Sequence, residues 1–259
     1  MPYQTGVVEA LKDHGLTVGY VPGWQTRGSS SFDPKGHVVH HDAGSPWTTP
    51  PGLLIAGRSD LPGPLCNFAL GRDGKVWMVA AGRANHAGSG SWRGLVGNSS
   101  VWGTEANNRG TGEMWPDVQI DAYARLCAAT CDYSGFSAEM VCRHAEWTSR
   151  KIDPAGPWED GHDWSRDASH FRALVAQGGT DMPLNDADLF SIGVIVKRSL
   201  DDADVATGAD LDAVKAEVRA DRRMTLDLVD AVARAAGVDP AKVRALLKPE
   251  TRAALDKVD

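Results

Sequence analysis

Nowhere in the 259 residues is there an apolar run approaching the ~20 needed to cross a bilayer. The amino terminus also lacks the positively charged start and apolar stretch of a secretory signal. A membrane span is excluded on these grounds, and the chain is expected to be made in the cytoplasm, with any export supplied by something else. Concentrated positive charge is missing too. With 27 Lys and Arg against 34 Asp and Glu, the net charge is −7, the wrong sign for binding nucleic acid by counterion release. Cysteine is scarce, and Cys66, Cys127, Cys131 and Cys142 show no C-x-x-C spacing, which argues against a zinc ribbon. Buried reduced thiols are expected, since free cysteines are among the most buried residues. A Cys127–Cys142 or Cys131–Cys142 bridge is the alternative.

The carboxyl-terminal third lacks most of what the rest contains. All nine tryptophans, four cysteines and eight histidines lie at or before His170. Beyond residue 180 only Gly193, Gly208 and Gly237 remain of 28 glycines, and Phe190 is the only aromatic. The chain therefore divides near Gly178-Gly179-Thr180-Asp181-Met182-Pro183, a linker sequence. Residues 1–180 are expected to form one domain with its core at about 30–175, and 181–259 a helical region. Asp186–Leu200, Leu211–Gly237 and Pro240–Leu247 read as helices there. The seam begun by Leu211, Val214 and Val218 is broken at Asp221 and Thr225, against a sustained coiled coil.

Strand and helix signals alternate in the first domain. Residues 4–14 read as a short amphipathic helix, with Val7, Val8 and Leu11 on one face and Gly15 as its stop. His37-Val38-Val39-His40-His41 is a β-branched strand, and Val101–Glu105 is another. Leu65–Leu70 and Val76–Ala80 flank an Asp73-Gly74 hairpin turn. Pro116–Tyr133 reads as a long helix stopped by Gly135, and Asp163–Gln177 as a second stopped by Gly178-Gly179. The fold class is thus α/β, a mixed central sheet flanked by helices.

Hydrolytic zinc sites use three protein ligands and leave a fourth position for water. His40 at a strand end, His144 in Cys142-Arg143-His144-Ala145-Glu146-Trp147, and Asp153 before Pro154 are the candidates. Singly each is ordinary: a histidine beside a strand is more often hydrogen-bonded or at the surface, and Asp-Pro is a common turn. Lys151 lies two residues before Asp153, so an extended segment would point both to one side. His41 should face away from His40.

Taken together, four strings in order carry a family resemblance. They are Val38-Val39-His40-His41-Asp42-Ala43-Gly44, Asn85-His86-Ala87-Gly88, Gly103-Thr104-Glu105-Ala106-Asn107-Asn108, and His144-Ala145-Glu146-Trp147 through Arg150-Lys151-Ile152-Asp153-Pro154. This pattern resembles the type 2 N-acetylmuramoyl-L-alanine amidases, relatives of the peptidoglycan recognition proteins, and most of all endolysins of actinobacterial phages. The resemblance implies a zinc amidase of peptidoglycan that acts on the cell wall after release. It implies His40, His144 and Asp153 as Zn²⁺ ligands, with Glu105 and Lys151 catalytic. His86, Asn107, Asn108 and Trp92 are expected to bind substrate, although His86 could instead stabilise its loop and the asparagines shape turns. Trp92, Trp102 and Trp115 could line a sugar groove, with core packing the stronger reading for Trp102; Trp77 and Trp147 are assigned to the core. His162 and His170 read as surface or packing residues.

Two other functions use the same residues: a module that binds peptidoglycan without cutting it, and a zinc peptidase cutting within the stem peptide. For 181–259, self-association into a homo-oligomer or attachment to another phage component is favoured over wall anchoring, because no Trp or Tyr follows Trp164 to stack on sugars.

Overall fold

A computed structural model describes residues 3–179, and the helices expected over 186–247 lie outside the described residues. The chain separates into two units, Met1–Thr180 and Asp181–Asp259, and the described residues all belong to the first.

Six strands form the central sheet: β1 (Val18–Tyr20), β2 (His37–His41), β3 (Phe68–Leu70), β4 (Val76–Met78), β5 (Trp102–Ala106) and β6 (Val141–Arg143). They lie in the order β1-β4-β3-β5-β2-β6. The β3–β4 hairpin supplies the one antiparallel pairing in the sheet, and every other neighbour is parallel. This is the mixed sheet expected, but β1 and β6 were not. Each has three residues, too few for period-2 alternation to show.

The helices are α1 (Val7–Asp13), α2 (Gly52–Ala56), α3 (Asp117–Ser134), α4 (His144–Trp147) and α5 (Ala168–Gln177). In α3, Pro116 precedes the first turn, and Gly135 ends it at φ 69° with its N–H donated to the Cys131 carbonyl at 2.8 Å. The second long helix starts at Ala168, not at Asp163. Asp163 instead accepts backbone and side-chain bonds from Ser165, a local turn that competes with helix.

Alternation along the strands sends two sets of side chains to two coverings. Val39, Phe68, Leu70, Val76, Met78, Trp102 and Ala106 share a core with α1, α3 and α5. Trp115, Trp158 and Trp164 are fully buried there beside Tyr123 and Phe171, with ring centroids 4.7–6.4 Å apart. Each buried tryptophan removes ~150–250 Å² from water, roughly 4–6 kcal/mol of hydrophobic transfer before entropy is counted. On the opposite face, Ala69 packs with Leu54 and Leu65, while Val38 packs with Ala87, Cys142 and Trp147. Trp102 and Trp147 are core as expected, whereas Trp77 is only half-buried under the Lys75 ammonium. All four cysteines are buried free thiols, and burial pushes each thiol pKa up, so neither alternative bridge forms.

Among the described residues no helix is long and apolar enough to cross a membrane.

Candidate metal centre

Because β2, β5 and β6 run parallel, their carboxyl ends meet at one edge of the sheet, where α/β folds gather ligands. His40 and Glu105 are register partners in adjacent strands, ~4.8 Å apart and on the same face. β6 runs directly into α4, whose first residue is His144. A loop after α4 brings Asp153 back.

Arg143 holds that loop, a role not legible in the sequence. Its buried guanidinium donates from Nη2 to the carbonyls of Ile152 at 3.1 Å and Pro154 at 2.8 Å, and from Nε to Pro154 at 3.1 Å. Its own backbone N–H donates to Glu146, which closes the first turn of α4. The Ala145 N–H donates to the Asp153 carbonyl at 2.9 Å. His144 and Asp153 are thereby tied together through main chain.

The result is a triangle. His40 Nδ1, His144 Nδ1 and Asp153 Oδ2 lie 3.0 Å from one another on every side. A tetrahedral ion with bonds of 2.0–2.1 Å spaces its ligands about 3.3 Å apart, so the three atoms need to open only slightly. His40 and His144 are 1% and 4% exposed. The Asp153 side chain is 13% exposed. Two imidazole nitrogens and a carboxylate oxygen are a donor set that suits a divalent ion such as zinc.

Charge in the site follows from burial. Burial lowers the His40 pKa to about 4, against the pull of Asp153, which keeps the ring neutral as a ligand requires. Burial would raise the Asp153 carboxyl, but the His144 and His40 imidazoles against its Oδ2 hold it far below the usual range. Glu105 goes the other way. Burial first, then the negative charges of Asp153 and Asp42, push it well above the usual carboxylate range, while Lys151 pulls it back. A cation in the triangle would add to that pull. Glu105 Oε2 is buried without a hydrogen-bond partner among the described residues, an acceptor positioned beside the triangle. Lys151 is exposed, and its charge acts on both His40 and Glu105.

His41 faces away from His40, as strand alternation requires, and its Nδ1 accepts the Ala155 N–H at 3.2 Å. A Cβ on Gly110, at φ 71°, would collide with that ring at 1.8 Å, so glycine is required there.

The residues expected at the substrate each make contacts of their own within the fold. His86 is buried, not at the rim: its ring stands behind His40, with Nδ1 3.1 Å from His40 Nε2 and Nε2 3.3 Å from the Val101 carbonyl. Asn107 is buried and shapes the loop after β2: its amide donates to Asp42 and Ser45, and its Oδ1 accepts the Trp47 N–H. Asn108 Oδ1 accepts the Gly110 N–H in a local turn. Trp92 donates to the Glu139 carbonyl, which precedes β6 and so lies at the end of that strand away from His144. Trp115 is fully buried and donates to the Ala155 carbonyl, which removes it from any sugar groove.

A second grouping, Asp160, His162 and His170, also brings ligand-type atoms within 4.8 Å. Its two imidazoles are stacked, 3.8 Å apart and 14° from parallel. Their in-plane lone pairs run side by side and do not converge, a packing arrangement against Trp158.

Residues 30–156 match the family described as N-acetylmuramoyl-L-alanine amidase, a span containing His40, Glu105, His144, Lys151 and Asp153. Similar solved structures include an endolysin N-acetylmuramoyl-L-alanine amidase, LysCS from Clostridium intestinale URNW, at 19% identity, with 61% of this chain and 95% of that one covered and a TM-score of 0.45. A selenomethionine AmpD derivative is similar at 25% identity, covering 62% and 94%, with a TM-score of 0.44. The amidase AmiD from E. coli is similar at 21% identity, covering 65% and 74%, with a TM-score of 0.40. No curated protein matches the chain.

Proposed function

Residues 30–156 belong to the N-acetylmuramoyl-L-alanine amidase family, and from that premise we propose that this chain is a zinc hydrolase. Its substrate in this reading is the amide joining the lactyl group of N-acetylmuramic acid to L-alanine in peptidoglycan, and its setting is that of a phage endolysin. The observation that carries the reading is the triangle of His40, His144 and Asp153, 3.0 Å on each side, with an unpartnered Glu105 oxygen next to it.

His40, His144 and Asp153 hold the ion. When bound, zinc supplies Lewis acidity and lowers the pKa of water toward about 7. Glu105 takes a proton from the attacking water and returns it to the departing nitrogen of L-alanine. Its pKa, raised above the usual carboxylate range by burial, favours the protonated form that the second task needs. Lys151 presents a cation to the carbonyl oxygen as that atom becomes negative. The water oxygen ends on the lactyl carbon, the C–N bond breaks, and a stem peptide with a free amino terminus leaves.

The test combines metal content with product analysis on purified cell walls. One zinc per chain is expected, with release of L-alanine amino termini that a chelator abolishes and Zn²⁺ restores. His40→Ala, His144→Ala and Asp153→Ala should each lose metal and activity together. Binding without new amino termini would point to a recognition module, and new termini within the stem peptide to a peptidase. Full activity without metal would end the proposal. For residues 181–259 we propose self-association, and a monomeric mass for the full chain by light scattering would overturn it.

A further inference from the structure

The Asn85-His86-Ala87-Gly88 string belongs to the family pattern, yet none of its side chains is a member of the triangle. We propose that the His86–Ala87 dipeptide is a brace that sets the tautomer of both imidazole ligands, with Asn98 and Gly103 as the positioning residues that hold it. The inference rests on the zinc reading above and assigns its supporting residues.

A neutral imidazole has one nitrogen that donates and one that accepts, and a ligand must present the accepting one. The Val101 carbonyl can only accept, so His86 Nε2, 3.3 Å away, carries the hydrogen. His86 Nδ1 is then an acceptor, and His40 Nε2 at 3.1 Å donates to it. That leaves the His40 lone pair on Nδ1, the atom in the triangle. The rings meet edge to face at 88°, which lets an in-plane N–H of one meet an in-plane lone pair of the other. His144 is treated the same way by the next residue. Its Nε2 lies 3.2 Å from the Ala87 carbonyl and must donate, which leaves the lone pair on Nδ1. Two adjacent residues thus orient two ligands that are 104 residues apart.

The dipeptide is itself held. Asn98 Oδ1 accepts both the His86 N–H at 3.1 Å and the Ala87 N–H at 2.8 Å. Asn85 ties the preceding turn to the Pro64 carbonyl through its N–H and to the Pro62 carbonyl through its amide. The His86 ring lies on the surface of β5 where Gly103 leaves room: a Cβ there would sit 2.4 Å from the ring. Gly103 is two residues before Glu105 and on the same face, so the sheet that presents Glu105 also seats the brace.

Outer partners of metal-bound histidines are worth roughly 10–100-fold in metal affinity. Zinc affinity by chelator competition should therefore fall by about that factor in His86→Leu. His86→Asn should recover most of it, because its Oδ1 can accept where Nδ1 did. Gly103→Ala should weaken binding although it touches no ligand, and Asn98→Ala should weaken it less. A variant-free readout is the tautomer itself, from long-range ¹⁵N–¹H correlation on the metal-free wild type. His40 and His144 should both carry hydrogen on Nε2. Hydrogen on Nδ1 of either ring, or His86→Leu binding zinc as tightly as wild type, would overturn the brace. A wild type that binds no zinc would instead end the zinc reading, so the two failures are distinguishable.

Discussion

β2 carries two buried histidines three residues apart, and the faces they occupy use the same side chain differently. His37 points toward α3, where Nδ1 meets the Thr130 hydroxyl at 2.9 Å and Nε2 the Thr104 hydroxyl at 2.8 Å. Both nitrogens are committed, no carboxylate is at hand, and the ring is structural. His40 points the other way, has only Nε2 engaged by His86, and turns Nδ1 toward a second imidazole and a carboxylate. Burial lowers both pKa values, to about 3 and about 4. Neutrality is common to the two faces; a free lone pair facing convergent partners belongs to one of them.

That contrast can be broken from either side. The largest effect is expected from Glu105→Gln, which removes the proposed proton carrier and leaves the triangle intact. Amide hydrolysis should fall by roughly 10²–10⁴-fold with one zinc retained, and simultaneous loss of metal would show that Glu105 is a structural support. On the other face, Trp102→Ala empties a fully buried site between Phe32 and Phe68. It should cost about 3–5 kcal/mol in denaturant unfolding while the zinc affinity of the folded fraction stays near wild type. An equal loss of zinc affinity would mean that the two faces are not energetically separate.

Tyr123→Phe acts on the boundary. The Tyr123 hydroxyl, rooted in the aromatic cluster, accepts the His40 N–H at 2.8 Å and faces the His40 and Thr104 carbonyls at 3.0 and 2.9 Å. Without it a buried N–H has no partner, a loss of about 1–3 kcal/mol. Both stability and zinc affinity should fall, and a change in stability alone would mean that the His40 face tolerates a shift of its strand.

The remaining expectation is a pH slope. His37 titrates near 6.5 when unfolded and near 3 when folded, so the native state holds it neutral. Its contribution is complete above about pH 6.5 and is lost as pH falls toward 3, by about 1.4 kcal/mol per unit. His37→Gln should flatten unfolding free energy against pH by that slope between pH 6 and 4, measured by urea titration. An unchanged slope would place the acid sensitivity in other groups.

Much of the architecture was legible because its signals are local. The β2 strand has the bounds read from its β-branched run, and α3 stops at the glycine expected to stop it. Strand β6 was not legible, since Val141–Arg143 has no periodicity to read and is stabilised by pairing with β2 across a hundred residues. The expected ligand trio was identified through the order of motifs, as spacing alone carries no geometry. Trp92, Asn107, Asn108 and His86 were read as facing substrate because aromatic, amide and imidazole groups serve packing and recognition equally well. Only their neighbours distinguish the two uses.

By itself the sequence determined which chemistry was available: two imidazoles, two carboxyl groups and a cation in a chain whose strands and helices it also encodes. Tertiary structure alone decided which nitrogen of each imidazole is free, that Arg143 fastens the Asp153 loop, and that His86 stands behind the site and not in front of it. Those outcomes depend on contacts between residues about ten to more than a hundred positions apart, and a donor or acceptor acquires its role only when the group opposite it is known.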